Sequence, residues 1–203
     1  MDTESDSYKV PQIISESLFK DKGSKHFGYV FPIESEADIE EHLTGLRKKH
    51  HSARHICYAY SIGTKNIIVK STDDGEPHNS AGPPILGQIQ SFELHNVLVA
   101  VVRYFGGTKL GVGGLINAYK TAAKEAILNN SIEIKHLYQN IELMFPYELM
   151  SEVMRFTKRD GIIINSQDFR ESCQLKISIR EKYFSDYINF LNKLHLLEVK
   201  VIE

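Results

Sequence analysis

The chain contains no tryptophan, two cysteines and six prolines in 203 residues. Cys57 and Cys173 lie far apart, sit in strand-like runs and form no CxxC pair. That removes the usual spacing of a zinc or thioredoxin-type site and leaves buried free thiols as the expectation. No apolar run approaches the roughly 18 residues needed to cross a bilayer. The first seven residues are acidic and polar, without the basic start or apolar core of a secretory signal. A cytoplasmic protein with no membrane partner is expected. Charge of one sign is also missing: 24 Lys+Arg stand against 26 Asp+Glu, a net charge of −2. The balance is even in both parts of the chain, so no protein-wide field gathers nucleic acid, and DNA is not an expected partner. Any RNA contact must come from a local patch. There is no GxSxG elbow and no GxxxxGK[ST] loop, so neither nucleophile nor nucleotide chemistry is announced by a motif.

What is present is a patterned α+β chain. Residues 1–22 read as a lead-in in which Ile13, Ile14, Leu18 and Phe19 add an edge strand. A strand follows over 24–33. Ser35 and Asp38 then form a helix-start signature, and Ile39, Leu43 and Leu46 recur at helical spacing. Residues 53–62 alternate as a strand, with Ile56, Tyr58 and Tyr60 on one side and Cys57 and Ala59 on the other. A second strand is expected over 66–70 and a short helix over 85–91. The unbroken apolar run 97–102 marks a strand buried on both faces. A long helix is expected from Leu115 to Leu128, with Leu115, Tyr119, Ala122 and Ala126 inward. From residue 138 the order is strand, helix, strand, strand, helix, strand, the βαββαβ pattern of a ferredoxin-like domain. These readings place domains at 1–132 and 133–203.

Three segments could carry chemistry. The first runs Arg103-Tyr104-Phe105-Gly106-Gly107-Thr108-Lys109-Leu110-Gly111-Val112-Gly113-Gly114. Five glycines in nine residues cost backbone entropy, so the chain must approach something closely there. One reading is an anion site between a buried strand and a helix start, with Arg103 and Lys109 adding charge. The other is a tight connection in which glycines let helix and sheet pack. The second segment, Asp73-Asp74-Gly75-Glu76-Pro77-His78, offers three carboxylates to a divalent cation, or serves as an acidic loop capping turns and a helix start. Both conspicuous loops follow strands of one sheet and are expected to meet. The third is a basic patch, Arg47, Lys48, Lys49 and Arg54, which either touches RNA phosphates or is a solvated helix end complementing the dipole. His55 and Cys57 share a strand face and form a weak Cys–His candidate.

The stretch from about Ala53 to Ala122 resembles the N-terminal domain of the Impact/YigZ family. The residues that carry the resemblance include 55–60 (HICYAY), 73–77 (DDGEP), Ala81-Gly82, 84–86 (PIL), 103–107 (RYFGG), 109–111 (KLG), 113–115 (GGL) and Ala118-Tyr119. The C-terminal βαββαβ unit resembles the small second domain of the bacterial YigZ branch. The chain departs from the family pattern at Asn79-Ser80, Val102 and Asn117, and at the last position a common arginine is missing. The resemblance implies a ribosomal-protein-like α/β first domain of four strands and two main helices, followed by a ferredoxin-like domain. The two resemble the fourth and fifth domains of elongation factor G. It further implies a non-catalytic protein of translation regulation that binds RNA, the ribosome or a translation factor. Two other readings remain open: a metal-assisted enzyme acting on a phosphate-bearing ligand, and a protein–protein interaction module. No cofactor is implied beyond a divalent cation on Asp73, Asp74 and Glu76.

Overall fold

The computed structural model describes residues 6–170 and 172–202. The chain divides into two compact units: Tyr8–Lys135, and the chain from His136 onward together with Asp6 and Ser7.

The first unit is built on a five-stranded antiparallel sheet. Its strands are β2 (Ser15–Asp21), β3 (Ser24–Pro32), β4 (His55–Ile62), β5 (Ile68–Thr72) and β6 (Val97–Tyr104), in the order β2-β3-β6-β4-β5. β1 (Ser7–Pro11) pairs instead with β7 (Ile132–His136) in a separate ribbon. The sheet thus has five strands rather than the four that the resemblance implies, because the expected edge strand, β2, joins it in full register with β3. Three helices pack on it: α1 (Glu36–Lys49), α2 (Gly82–Ser91) and α3 (Gly111–Leu128).

β6 is central, bonded to β3 on one side and β4 on the other. Alternation of side chains sends Val97, Val99 and Val101 to one face, where they join Cys57 and Ala59 beneath Ile85 and Ile89 of α2 and Leu115, Tyr119 and Ala122 of α3. Leu98, Ala100 and Val102 go to the other face, with Ile56, Tyr60, Tyr29 and Phe31, beneath Ile39 and Leu46 of α1. Because helices cover both faces, the strand between them is apolar at every position from 97 to 102 rather than at alternate ones. α1 begins with a complete capping box: the Ser35 hydroxyl accepts from Asp38 N–H, and the Asp38 carboxylate accepts from Ser35 N–H at 2.9 Å.

The second unit contains β8 (Tyr138–Phe145), a 3-10 turn (Tyr147–Leu149), α4 (Met150–Phe156), β9 (Ile162–Asp168), β10 (Cys173–Arg180), α5 (Glu181–Leu191) and β11 (Glu198–Ile202). Its sheet runs β11-β8-β10-β9, antiparallel throughout. This is the interleaved order of two crossing βαβ halves in a ferredoxin-like fold. The core is Ile141, Leu143, Leu175, Ile177 and Ile179 against Val153, Phe156 and Leu191. Among the described residues, no helix is long and apolar enough to cross a membrane.

Candidate functional site

The acidic loop and the glycine segment meet in the first unit. β5 ends at Thr72 and β6 at Tyr104, at the same end of the sheet. After β5 the chain makes a tight turn, closed by Glu76 N–H donating to the Asp73 carbonyl at 2.9 Å. Asp74 and Gly75 hold positive φ, 41° and 85°, within that turn. The turn returns Glu76 to the end of β6. There Arg103 Nη1 donates to Glu76 Oε1 at 2.6 Å, and Tyr119 Oη donates to the same oxygen at 2.8 Å. The side chains of Arg103 and Glu76 are 9% and 4% exposed.

This arrangement changes the role of several expected residues. Arg103 is not a free cation awaiting an anion; it is buried and neutralised by Glu76. Its Nε is nevertheless buried without a hydrogen-bond partner, and the residue forms part of a cleft wall. The three loop carboxylates do not act together. Asp73 accepts from the backbone N–H groups of Asn79, Ala81 and Gly82 at 2.8–2.9 Å, so it organises the entry to α2. Burial raises its carboxyl pKa, but these three donors outweigh burial and hold it below the usual value. Asp74 accepts from Ile56 N–H at 2.6 Å and from Arg47 at 2.8 Å. Glu76 serves Arg103 and Tyr119. Among the described residues, no three His, Cys, Asp or Glu side chains are grouped to hold a metal ion.

The basic patch also divides. Arg47 pairs with Asp74, and Lys49 pairs with Glu16 at 2.7 Å. Lys48 lies with Lys49, Glu40 and Glu41 along an open depression over α1, of about 710 Å³, whose mixed charge selects no ion. Arg54 alone of the four joins the glycine segment.

The glycines split into two kinds. A Cβ on Gly106 would lie 1.9 Å from the Gly23 carbonyl carbon, because the β2–β3 hairpin turn presses against it. Its N–H donates to Ser24 Oγ at 3.1 Å. That glycine is a packing requirement. Gly113, by contrast, meets nothing within 4 Å and has no positive φ. It sits in the first turn of α3, which starts at Gly111, four residues earlier than the side-chain periodicity predicts. No side chain caps that helix start. The first turn of α3, Gly111 to Gly113, is exposed, and its leading N–H groups have no intrahelical acceptor.

The result is a cleft of about 690 Å³ lined by Arg54, His55, Glu76, Arg103, Phe105 and Lys109, with Gly111 and Val112 at the helix start. Arg54 and Lys109 are exposed. Phe105 is 58% exposed, with the Arg103 guanidinium 5.7 Å from its ring centre. Beneath the cleft, burial pushes His26 down to about 4, with Arg103 acting in the same direction. Its ring is edge-on to Tyr119 at 5.3 Å.

The Cys–His candidate does not form. Cys57 is buried, its thiol donates to the Asp73 carbonyl at 2.9 Å, and burial pushes its pKa up. His55 turns its Nδ1 to the Asp74 carbonyl at 2.8 Å, so it is not paired with Cys57. Burial likewise raises Tyr119. Phe105 and the buried Tyr119–Glu76 bond are not separable from core by pattern alone. The one sequence signal for Phe105 is its place where a buried strand gives way to glycines.

Residues 22–127 match the Impact N-terminal domain. An IMPACT family member from Haemophilus influenzae is 32% identical over 179 residues, covering 86% of each chain. The IMPACT family member YigZ from Escherichia coli is 31% identical over 140 residues, 68% of each chain. A solved structure described as a hypothetical protein covers 98% of each chain with a TM-score of 0.66 at 22% identity, a likeness of fold alone. With residues 22–127, just over half of the chain, matching the Impact N-terminal domain, and a relative 32% identical across 86% of it, the chain belongs to the IMPACT family.

Proposed function

We propose that the chain is a non-catalytic binding protein whose glycine-segment cleft takes phosphate-bearing RNA, in the setting of translation control that its family resemblance implies. The observation that carries this reading is the grouping, at one cleft, of exposed Arg54 and Lys109, an exposed aromatic ring and an uncapped helix start. Cations and free backbone N–H groups attract phosphate, and an aromatic face accepts a base. Glu76 does not oppose this, because Arg103 and Tyr119 already engage it. The ligand set is thus Arg54, Lys109, Phe105 and the α3 start, with Arg103, Tyr104, Gly106 and Gly107 supporting it.

The test is fluorescence-anisotropy titration of a structured RNA at two salt concentrations. Wild type binds more weakly as salt rises. In the Arg54→Ala/Lys109→Ala variant the slope of log affinity against log salt falls by about 2, roughly 0.9 for each phosphate no longer neutralised. Absence of binding by the wild type at low salt defeats the reading and directs attention to a protein partner.

A further inference from the structure

We infer that the RNA bound here is single-stranded and extended, running across the end of the sheet with a base stacked on Phe105. This deepens the reading above and rests on it. The observation is a second cleft, of about 490 Å³, lined by Gly23, Lys25, Phe27, His50, Tyr104 and Phe105. It shares Tyr104 and Phe105 with the first. We take the two clefts, which adjoin at Tyr104 and Phe105, as the halves of one binding path around the end of the sheet. A compact anion would need only the first half.

Three features fit the groove to a single strand rather than a duplex. First, both halves combine cations with rings: Lys109 and Arg54 with Phe105 in one, Lys25 with Phe27 in the other, and Tyr104 and Phe105 common to both. Single-strand binders combine a basic track with stacking faces, whereas paired bases have no free face to offer. Second, the ring is held in place. Arg103 lies 5.7 Å from the Phe105 centroid and is itself fixed by Glu76. Tyr104 packs edge-on to Phe27 at 5.9 Å, and its hydroxyl lies 3.0 Å from His50 Nδ1. A platform held by a buried ion pair loses little freedom when a base stacks on it. Third, among the residues lining both halves Glu76 is the one carboxylate, and it is already hydrogen-bonded twice. The buried Arg103 Nε leaves one N–H donor unused beside the wall.

The chain contains no tryptophan, so Phe105→Trp places a single indole in the groove as a reporter. The ligand is an unstructured oligouridylate of about 12 nucleotides, within the span of a single-strand site, compared with a hairpin duplex of equal charge. Wild type is expected to prefer the single strand. Titration with the single strand should quench the indole emission of the Phe105→Trp variant, and titration with the duplex should not. Phe105→Ala lowers single-strand affinity about tenfold, the lower part of the range for one stacked base, and leaves the duplex affinity unchanged. Lys25→Ala reduces the single-strand salt slope by about 0.7. Unchanged melting of the variants checks that the fold is intact. A duplex preference, or a single-strand affinity indifferent to Phe105→Ala, overturns this inference while leaving the phosphate-binding cleft in place. Binding of neither RNA overturns both.

Discussion

Arg103 and Glu76, 27 positions apart, form a 2.6 Å ion pair that joins the end of β6 to the acidic loop, with both side chains more than nine-tenths buried. The two segments that stand out in the sequence are thereby one structure. Cutting either partner leaves a charge with no solvent to receive it. Glu76→Gln is expected to cost about 3–5 kcal/mol in chemical denaturation, the usual penalty for orphaning a buried charge. Adding Arg103→Met to it should restore most of that loss. Equal stability of the single and double variants would show that the pair is not the source.

Gly106 and Gly113 separate packing from function. Gly106→Ala puts a methyl group against the Gly23 backbone and should fold poorly or not at all. Gly113→Ala meets nothing and should stabilise α3 by up to about 1 kcal/mol. Gly113 neighbours Gly111 and Val112, which line the proposed RNA cleft, so if the α3 start binds RNA the added methyl group should lower affinity while the melting temperature rises. A stabilised variant with undiminished affinity would remove the α3 start from the binding surface.

His26 is buried and neutral, its pKa pushed down to about 4 first by burial and then by Arg103. An unfolded histidine titrates near 6.5. Between about 6.5 and 4 the unfolded state therefore binds more protons than the folded one, so stability is present above this window and falls as pH drops through it. The slope approaches about 1.4 kcal/mol per pH unit. Burial also lowers His50, which contributes with the same sign. Denaturation at pH 7 and pH 5 should show the loss in wild type and a smaller one in His26→Phe. An identical difference in the two would assign the effect elsewhere.

Asp73 caps the entry to α2 with three backbone bonds. Asp73→Ala should cost about 2 kcal/mol, the upper end for loss of a helix cap. Its depressed pKa means that its contribution is present above the unfolded value and lost as pH falls below about 3.8. Urea titration of this variant at pH 7 and pH 3 should show the difference from wild type shrinking in acid.

The sequence by itself determined which elements exist wherever one short period governs them. The apolar run 97–102 is the central strand of the first unit. The alternation at Ile56–Tyr60 divides between the two sheet faces as its period requires. Ser35 and Asp38 form the capping box, and the second unit has its βαββαβ order. These features are local, and local chemistry writes them directly into residue order.

What only the tertiary structure decided is long-range. β1 and β7 pair across more than a hundred residues, and neither strand carries enough pattern to declare it alone. Arg103 reads as a free cation until the fold sets Glu76 beside it. Asp73, Asp74 and Glu76 read equally as a metal site or as a capping loop until the turn sends each to a different donor. The basic patch dissolves because Glu16 and Asp74, distant in sequence, claim two of its members. Charges act through space, and the distance between two of them is not a property of either one's position in the chain.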